Sequence, residues 1–361
     1  MLRISAFSLL LLVACAHGSP APSSTAEALA TPAGITETRA AWVASTVRLA
    51  RAEVMRGRFE QARTLLETAV DRSAAAGDAP GKARLQAELA VVLSEESFYT
   101  RTRTEQALQL AQAAQSSARA LGAREVEARG VHAEGFVRYG ELLWKESKDF
   151  HVPRELFSRA RDLFREVGDR SGVAQETFFL GLTWEQEEKP DQAGPLYAQA
   201  RALSEEIGDR STLSYALRHL GGLAESRGDL DQALALQRRS LALREEIGFV
   251  RLVPFALIAV GDAERKKGLL ADARTSYTRA LAGADELDSG AARVWSHFGL
   301  GAVDEAEGYL DPALEHYEQA RRAAELLGSK SWITETGAAA EKVRRRLQQS
   351  SASPTTSTRG R

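Results

Sequence analysis

Residues 205–211 read EEIGDRS, and residues 165–171, forty positions earlier, read REVGDRS. The motif returns as EEIG at 245–248, and LLG at 326–328 holds the same place two periods later. In each copy a glycine follows an apolar residue, as the left-handed cap at the end of a helix requires. The Asp-Arg-Ser that comes next can cap the following helix. A helix end that recurs at a fixed period predicts an array of helical repeats.

Three further features repeat in phase with this helix end: a glycine after Leu or Val, an alanine after a turn, and an aromatic residue three positions before a second alanine. Small residues allow the two helices of a pair to approach closely, and the aromatic side chain fills the space between neighbouring repeats. The glycines are Gly181, Gly221, Gly261 and Gly301; the alanines are Ala193, Ala233, Ala273 and Ala313; the aromatic residues are Phe157, Tyr197, Tyr277 and Tyr317.

In this combination of residues the chain resembles the tetratricopeptide repeat family, in its 40-residue subtype. The resemblance covers roughly residues 36–328 and implies an all-α fold, a right-handed solenoid of about seven helix-turn-helix repeats. A last amphipathic helix at 331–349 is expected to cap the final apolar face. The expected repeats are 36–77, 80–122, 123–168, 171–208, 211–248, 251–288 and 291–328.

Two irregularities interrupt the period. The second and third repeats carry insertions near Ser97–Thr104 and Lys145–Val152, which predict longer first helices or longer loops. Asp288 stands where the other repeats have the capping glycine, and Asp can also adopt the left-handed conformation.

Nothing in the composition suggests nucleic-acid binding, and no nucleic-acid partner is expected. Lys and Arg number 47 against 49 Asp and Glu, which gives a net charge of -2 and no clustered basic face. The run Arg344–Arg346 is interpreted as a solvated last helical turn that complements the helix dipole.

The N-terminus resembles a bacterial lipoprotein signal peptide, with the signal at 1–14. One positive charge precedes an apolar run that is too short to span a membrane, and residues 12–15 read LVAC, similar to a lipobox. Cys15 is the single cysteine of the chain and is the expected lipidation site. The alternative is ordinary signal cleavage after Ala16, which would remove Cys15.

The resemblance implies a lipid anchor at Cys15 and a place in the bacterial cell envelope. An alanine after the cysteine is typical of outer-membrane lipoproteins, so the expected location is the outer membrane, facing the periplasm. Residues 15–35 are small, contain prolines and carry little charge, which predicts a flexible tether. Residues 350–361 have the same character and predict a disordered tail.

No catalytic motif is present in the sequence. The six histidines form no His-Glu-x-x-His pair, and there is no phosphate-binding Gly-x-x-x-x-Gly-Lys loop and no Gly-x-Ser-x-Gly. We therefore expect no enzyme activity, no cofactor and no metal.

In the family, the first helix of each pair lines a concave groove, and the resemblance assigns four groove positions to each repeat of the second half. The first row is Gln175, Tyr215, Phe255 and Trp295; the second is Phe178, Arg218, Ile258 and Phe298; the third is Leu182, Gly222, Asp262 and Ala302; the fourth is Glu185, Glu225, Arg265 and Glu305.

Three aromatic side chains at 40-residue intervals, Tyr215, Phe255 and Trp295, form the leading candidate for a binding surface. Aromatic residues and arginines dominate interface hot spots, so Phe178, Arg218, Phe298 and Arg265 complete the candidate groove. The alternative is that the three aromatics pack inside the solenoid, because core positions repeat with the same period. The predicted function is a non-catalytic scaffold that holds a segment of a protein partner; the alternative is a receptor for a small peptide or a cell-wall-derived signal.

Overall fold

The computed structural model describes residues 32–352, and throughout this range the regular structure is helical. Fifteen α-helices and one 3₁₀ turn lie in the described residues, which confirms the predicted all-α solenoid class. The helices are α1 (Pro32–Met55), α2 (Phe59–Ala75), α3 (Ala79–Thr100), α4 (Thr104–Leu121), α5 (Arg124–Trp144), α6 (His151–Glu166), α7 (Arg170–Gln186), α8 (Pro190–Ile207), α9 (Arg210–Ser226), α10 (Leu230–Glu246), the 3₁₀ turn Val250–Leu252, α11 (Val253–Lys266), α12 (Leu270–Glu286), α13 (Gly290–Glu307), α14 (Leu310–Leu327) and α15 (Lys330–Ala352).

The contacts within the chain define two units, Met1–Trp42 and Val43–Arg361. The described part of the first unit is the beginning of α1. In the second unit each helix from α3 to α14 packs against its neighbours in sequence, and α15 packs against α14. The described helices therefore form about seven pairs followed by one last helix, as the repeat period predicts.

The ends of the helical region differ from the expected tether and tail. α1 begins at Pro32, so the last four residues of the expected tether are helical; proline is well tolerated in the first turn of a helix. α15 continues to Ala352, past the expected start of the tail, because no glycine or proline interrupts the chain before Pro354. The predicted signal peptide and Cys15 lie outside the described residues.

The two expected insertions lengthen the first helices of the second and third pairs. α3 has 22 residues and α5 has 21, compared with 17 in α7 and in α9. The third pair also has a longer loop, residues 145–150, between α5 and α6.

The helix ends follow the capping chemistry expected from the repeated motif. Gly208 and Gly328 adopt left-handed backbone conformations, with φ of 73° and 65°, and Asp288 adopts one at 49°. The Asp169 carboxylate accepts a hydrogen bond from the backbone N–H of Gly172 at 2.9 Å. These contacts fix each turn, and so they set the angle between consecutive helices.

A tyrosine in the second helix of three pairs packs against a glycine in the first helix. A Cβ added to Gly181 would lie 2.6 Å from the ring of Tyr197, and one added to Gly261 would lie 2.9 Å from Tyr277. A larger residue would therefore force the helices apart. The same arrangement joins Gly301 to Tyr317 in the seventh pair.

Each of these tyrosines also reaches a carboxylate near the end of the first helix of its own pair. Tyr197 donates its hydroxyl hydrogen to Glu185 at 2.5 Å, and Tyr277 donates to Asp262 at 2.6 Å. Tyr317 donates to Glu305 at 3.2 Å. The hydrogen bonds satisfy a buried phenol and place one acidic group per pair along the same side of the first helices.

Candidate functional site

A cavity of about 530 Å³ opens between the carboxyl-terminal halves of the first helices α7, α9 and α11. Its volume lies in the usual range for ligand pockets of roughly 300–1,000 Å³. The side chains that define its chemistry are Glu185, Arg218, His219, Glu225, Gln237 and Asp262.

The cavity lies beside Gln237, which holds the position that tyrosine holds in the neighbouring pairs. Tyr197 and Tyr277 lie forty residues before and after it, each packed on a glycine. Gln237 instead ends at the backbone of α9, where its Nε2 donates to the carbonyl oxygen of Arg218 at 3.0 Å. The amide side chain is shorter than a phenol, so this pair leaves open the space that the other pairs fill.

Gly222 forms the other side of the opening. It is exposed, and a Cβ added there would meet nothing within 4 Å. Its counterparts in the same groove row are Leu182, Asp262 and Ala302. The combination of a glycine in α9 and a glutamine in α10 therefore accounts for the position of the cavity.

Glu185 is held at one wall by two neighbours. It accepts a hydrogen bond from Tyr197, and one of its oxygens lies 3.0 Å from Nδ1 of His219. Burial alone would raise the pKa of Glu185, but the charge and hydrogen bond of His219 and the hydrogen bond from Tyr197 outweigh it and lower the pKa to about 2. Glu185 is therefore a carboxylate at neutral pH.

Asp262 stands on the opposite wall and behaves differently. Burial raises its pKa, and the hydrogen bond from Tyr277 opposes this only in part. Two lysines from outside the lining complete the rim: Lys148 lies 2.5 Å from Glu188, and Lys266 pairs with Glu225. The lining itself carries four carboxyl groups against one guanidinium and one imidazole.

Gln237 carries an unusual free acceptor. Its side chain is 3% exposed, and its Oε1 has no hydrogen-bond partner among the described residues. Because Nε2 already donates to Arg218, the carbonyl oxygen is the end of the amide that stays free. Buried polar atoms in proteins are nearly always paired, so this oxygen is suited to receive a donor from a ligand.

The prediction that Phe178 lines a groove is wrong. Its side chain is 1% exposed, and its ring lies 5.5 Å from Tyr197 and 5.2 Å from Tyr215. The position faces the neighbouring helices, because the second groove row coincides here with the seam between α7, α8 and α9. Phe178 is a core residue.

The three aromatics of the first row are half-buried and pack on the core. Tyr215 contacts Phe249 in an edge-on arrangement at 5.7 Å, and Trp295 contacts Trp332 at 5.4 Å. Phe255 packs on the core cluster of α11 and α12. They lie in the amino-terminal halves of the first helices, whereas the cavity lies in the carboxyl-terminal halves.

The remaining candidate residues divide between two places. Arg218 lines the cavity, and Arg265 reaches its edge, with Nη2 3.9 Å from Oδ1 of Asp262. Phe298 lies in the seventh pair, where its ring packs 5.3 Å from Tyr317 and 5.8 Å from Trp295. The structure thus brings together the two arginines and leaves Phe298 apart from them.

Two contacts join helices that are far apart in sequence. In the first, Arg251 donates to the Tyr99 hydroxyl at 2.7 Å and pairs with Glu95. Burial lowers the pKa of Arg251, but Glu95 and Tyr99 outweigh this and raise it. We call this contact the Arg251 bridge.

The second contact lies near the start of α15. The rings of Trp144 and Trp332 meet edge-on at 6.4 Å, and the Glu146 carboxylate accepts a hydrogen bond from the backbone N–H of Ser331 at 3.2 Å. We call it the Trp332 bridge. Both bridges lie outside the repeat pattern, since they depend on how the whole stack curves, and no periodic signal in the sequence indicates them.

Residues 32–352 lack two features, a cluster of metal-binding side chains and a membrane-spanning helix. No group of three or more His, Cys, Asp or Glu side chains in this range is placed to hold a metal ion. None of the helices in the same range combines the length and apolar character that a membrane span requires.

Comparison with known proteins agrees with the repeat pattern. Residues 177–246, which include most of the cavity lining, match the model of the tetratricopeptide repeat. No curated protein sequence matches the chain.

Solved structures of similar fold are distant in sequence. A Rap protein complexed with competence and sporulation factor matches with a TM-score of 0.51 at 12% identity, over 85% of this chain and 98% of that one. A signal transduction ATPase with numerous domains from Pyrococcus horikoshii, which has a tetratricopeptide repeat sensor, matches with a TM-score of 0.52 at 16% identity, over 80% of this chain and 44% of that one. Aspartyl phosphate phosphatase F from Bacillus subtilis matches with a TM-score of 0.48 at 10% identity, over 91% of this chain and 96% of that one.

Proposed function

From the premise that this chain is a tetratricopeptide repeat protein, we propose that it is a non-catalytic adaptor that binds a segment of a protein or peptide partner on its first helices. The observation that carries the proposal is the cavity beside Gly222, where three first helices meet and a buried acceptor is free. Concave sites with a few converging polar groups are the usual places where ligands bind.

The distribution of the aromatic candidates supports a partner segment that is more than a single residue long. Tyr215, Phe255 and Trp295 keep part of their surface exposed along the same helices whose other halves form the cavity. A segment anchored in the cavity could continue over these side chains, and aromatic surface is a frequent source of binding energy.

The location of the protein is proposed from its N-terminus alone. We propose that Cys15 is lipidated and that the repeats act as an assembly platform anchored in the cell envelope, at the outer membrane and facing the periplasm. Two or more acyl chains are required for stable anchoring, which a lipidated N-terminal cysteine provides.

A second candidate function is a receptor for a small peptide or a cell-wall-derived signal. The structural neighbour complexed with competence and sporulation factor favours it, because a protein of similar fold there forms a complex with that factor. The volume of the cavity suits a few side chains rather than a large interface. An increase in melting temperature on addition of a small ligand would favour the receptor over the scaffold.

Site-directed photo-crosslinking in cells tests segment binding. A photoreactive phenylalanine analogue is placed at Gly222, which has open space around it, and a control is placed at Gly337 in α15, where an added Cβ would lie 3.6 Å from the nearest side-chain atom. We expect a defined crosslinked partner from position 222 and none from position 337. Equal crosslinking from both positions, or none from 222, would contradict the proposal.

The anchor is tested separately. Mass spectrometry of the mature N-terminus should find a diacylated cysteine at position 15, and Cys15→Ser should move the protein from the membrane fraction to the soluble fraction. A mature chain that begins after Ala16 would instead show ordinary cleavage.

A further inference from the structure

We propose that the cavity beside Gln237 receives a positively charged side chain, that of a lysine or an arginine, from the bound segment. The inference rests on the proposed function and specifies which chemistry the site selects. Four features of the cavity support it: the missing tyrosine at Gln237, the orientation of the free Gln237 oxygen, the charge of the lining side chains and the apolar surface beside them.

The first step is the break in register. Tyr197, Tyr277 and Tyr317 fill the corresponding space in their own pairs and occupy a carboxylate with their hydroxyl groups. At Gln237 the filling group is absent, so Glu225, the carboxylate of this pair, receives no hydroxyl from α10 and pairs with Lys266 at the rim instead. The fifth pair therefore differs from its two neighbours at a place where a ligand group could occupy the space of a protein side chain.

The second step concerns the free oxygen of Gln237. The hydrogen bond from Nε2 to the carbonyl oxygen of Arg218, at 3.0 Å, fixes the orientation of the amide and leaves Oε1 as an acceptor. A buried acceptor without a partner destabilises the protein, and a donor supplied by a ligand recovers that cost. The ligand group must therefore carry hydrogen on nitrogen or oxygen.

The third step is charge. The lining carries the carboxyl groups of Glu185, Glu188, Glu225 and Asp262, and Arg218 is its one guanidinium. The His219 imidazole lies between Arg218 and Glu185, so the basic groups of the lining are engaged at one wall. Glu188 and Glu225 are paired with Lys148 and Lys266, so the carboxylate left for a ligand is that of Asp262, which is 40% exposed and accepts from Tyr277 through one oxygen. A cationic donor is favoured beside it, since hydrogen bonds between a cation and a carboxylate are the stronger ones.

The fourth step is the apolar surface beside these groups. Leu223, Pro190 and Ala259 also line the cavity, and Gly222 leaves its mouth open. Lysine and arginine have long apolar stems that pack along such surface while their charged ends reach polar groups. A short donor such as serine has no apolar stem of this kind.

A displayed library of random heptapeptides tests the inference on the full chain. Selection on the unchanged protein should enrich peptides with lysine or arginine at one position, by at least tenfold over the starting frequency. Synthetic versions of an enriched peptide, with the basic residue as Lys, Arg or the uncharged isostere norleucine, then distinguish ammonium from guanidinium binding by calorimetry. Norleucine should bind at least tenfold more weakly.

Two variants close the cavity in different ways. Gln237→Tyr installs the side chain that neighbouring pairs already accommodate, and Gly222→Leu places apolar bulk at the mouth. Both should abolish the preference for a basic residue, whereas the control Gly337→Leu should retain it. Circular dichroism establishes that each variant is folded, and two independent closures keep the test valid if one of them fails to fold.

The outcomes distinguish a failure of the cationic preference from a failure of segment binding itself. Enriched peptides without a basic preference, or a preference that survives both closures, would overturn the cationic inference and leave segment binding intact. A selection that enriches no peptide at all would count against both the inference and segment binding.

Discussion

The two halves of the first helices α9 and α11 have opposite characters. In the amino-terminal halves, Tyr215 and Phe255 lie on the core, and the Arg251 bridge adds a contact from α3. Beside the carboxyl-terminal halves, Gly222 of α9 and Gln237 of the adjoining α10 leave a cavity with a free acceptor. Aromatic residues that recur at the repeat period, such as Tyr215 and Phe255, pack on the core, whereas the cavity lies where Gln237 interrupts the tyrosines of the neighbouring pairs.

The largest change in stability is expected from a residue that packs in the core, Phe178. Phe178→Ala should lower the free energy of unfolding by about 3–5 kcal/mol, because the ring is fully buried and its removal leaves a cavity. Urea unfolding followed by circular dichroism measures the change. The control is Phe298→Ala, which removes the same group from a half-buried position and should cost less. Equal losses would mean that burial does not distinguish the two positions.

Breaking the Arg251 bridge should cause the next largest loss of stability. Arg251→Met should destabilise the protein by about 3 kcal/mol, the lower end for a broken buried pair, because Glu95 is 22% exposed. The matched control is Arg239→Met, which removes a half-exposed arginine paired with Glu205 at 2.8 Å and should cost under about 1 kcal/mol.

The Arg251 result has a further check in a double variant. If the bridge is the cause, Glu95→Gln combined with Arg251→Met should cost less than the sum of the two single changes. Strict additivity of the two changes would show that Arg251 acts through some other contact.

The sequence predicts the fold well because the fold is periodic. Gly208 and Asp169 are local signals that fix a helix end, and forty-residue copies of them specify a stack. The same periodicity limits the prediction of the site. Groove positions and core positions both recur every forty residues. The repeat pattern alone therefore cannot tell whether Tyr215 or Phe178 lines the groove or packs in the core.

The cavity itself had a sequence signal of a different kind. Gln237 breaks the tyrosine series and Gly222 breaks its groove row, so both departures from the repeat could have indicated an opening. The bridges had no such signal. Arg251 meets Glu95 only because many small inter-repeat rotations add up, and no local pattern encodes that sum.

Gly221 and Gly222 are neighbours in α9, but Gly221 faces α10 and Gly222 faces the open side. Gly221→Ala should destabilise the protein by about 1 kcal/mol, because the added Cβ would lie 2.7 Å from Nε2 and 3.1 Å from Cγ of Gln237, and moving that side chain breaks its hydrogen bond to the carbonyl oxygen of Arg218. Gly222→Ala should stabilise it by about 0.5–1 kcal/mol, since the new methyl group enters open space and the helix loses a glycine. Thermal unfolding of both variants provides the measurement. Changes of the same sign would contradict the assignment of one packed face and one open face.

The smallest effect concerns the pH dependence that Glu185 contributes from the cavity wall. Burial raises the pKa of Glu185, but the contacts with His219 and Tyr197 outweigh burial and lower this pKa from its ordinary value of 4.5 to about 2. A carboxyl group whose pKa is lower in the folded state stabilises the fold above its unfolded pKa, and this contribution is lost as the pH falls through the folded pKa. Between about pH 5 and about pH 3, the unchanged protein should therefore lose more stability than Glu185→Gln, which has no carboxylate to protonate. The control Glu286→Gln, an exposed position in α12, should follow the unchanged protein over the same range. Parallel pH profiles for Glu185→Gln and the unchanged protein would show that the contacts of the cavity wall do not hold Glu185 in its charged form. Glu185 could then no longer be counted as a charged carboxylate of the cavity lining.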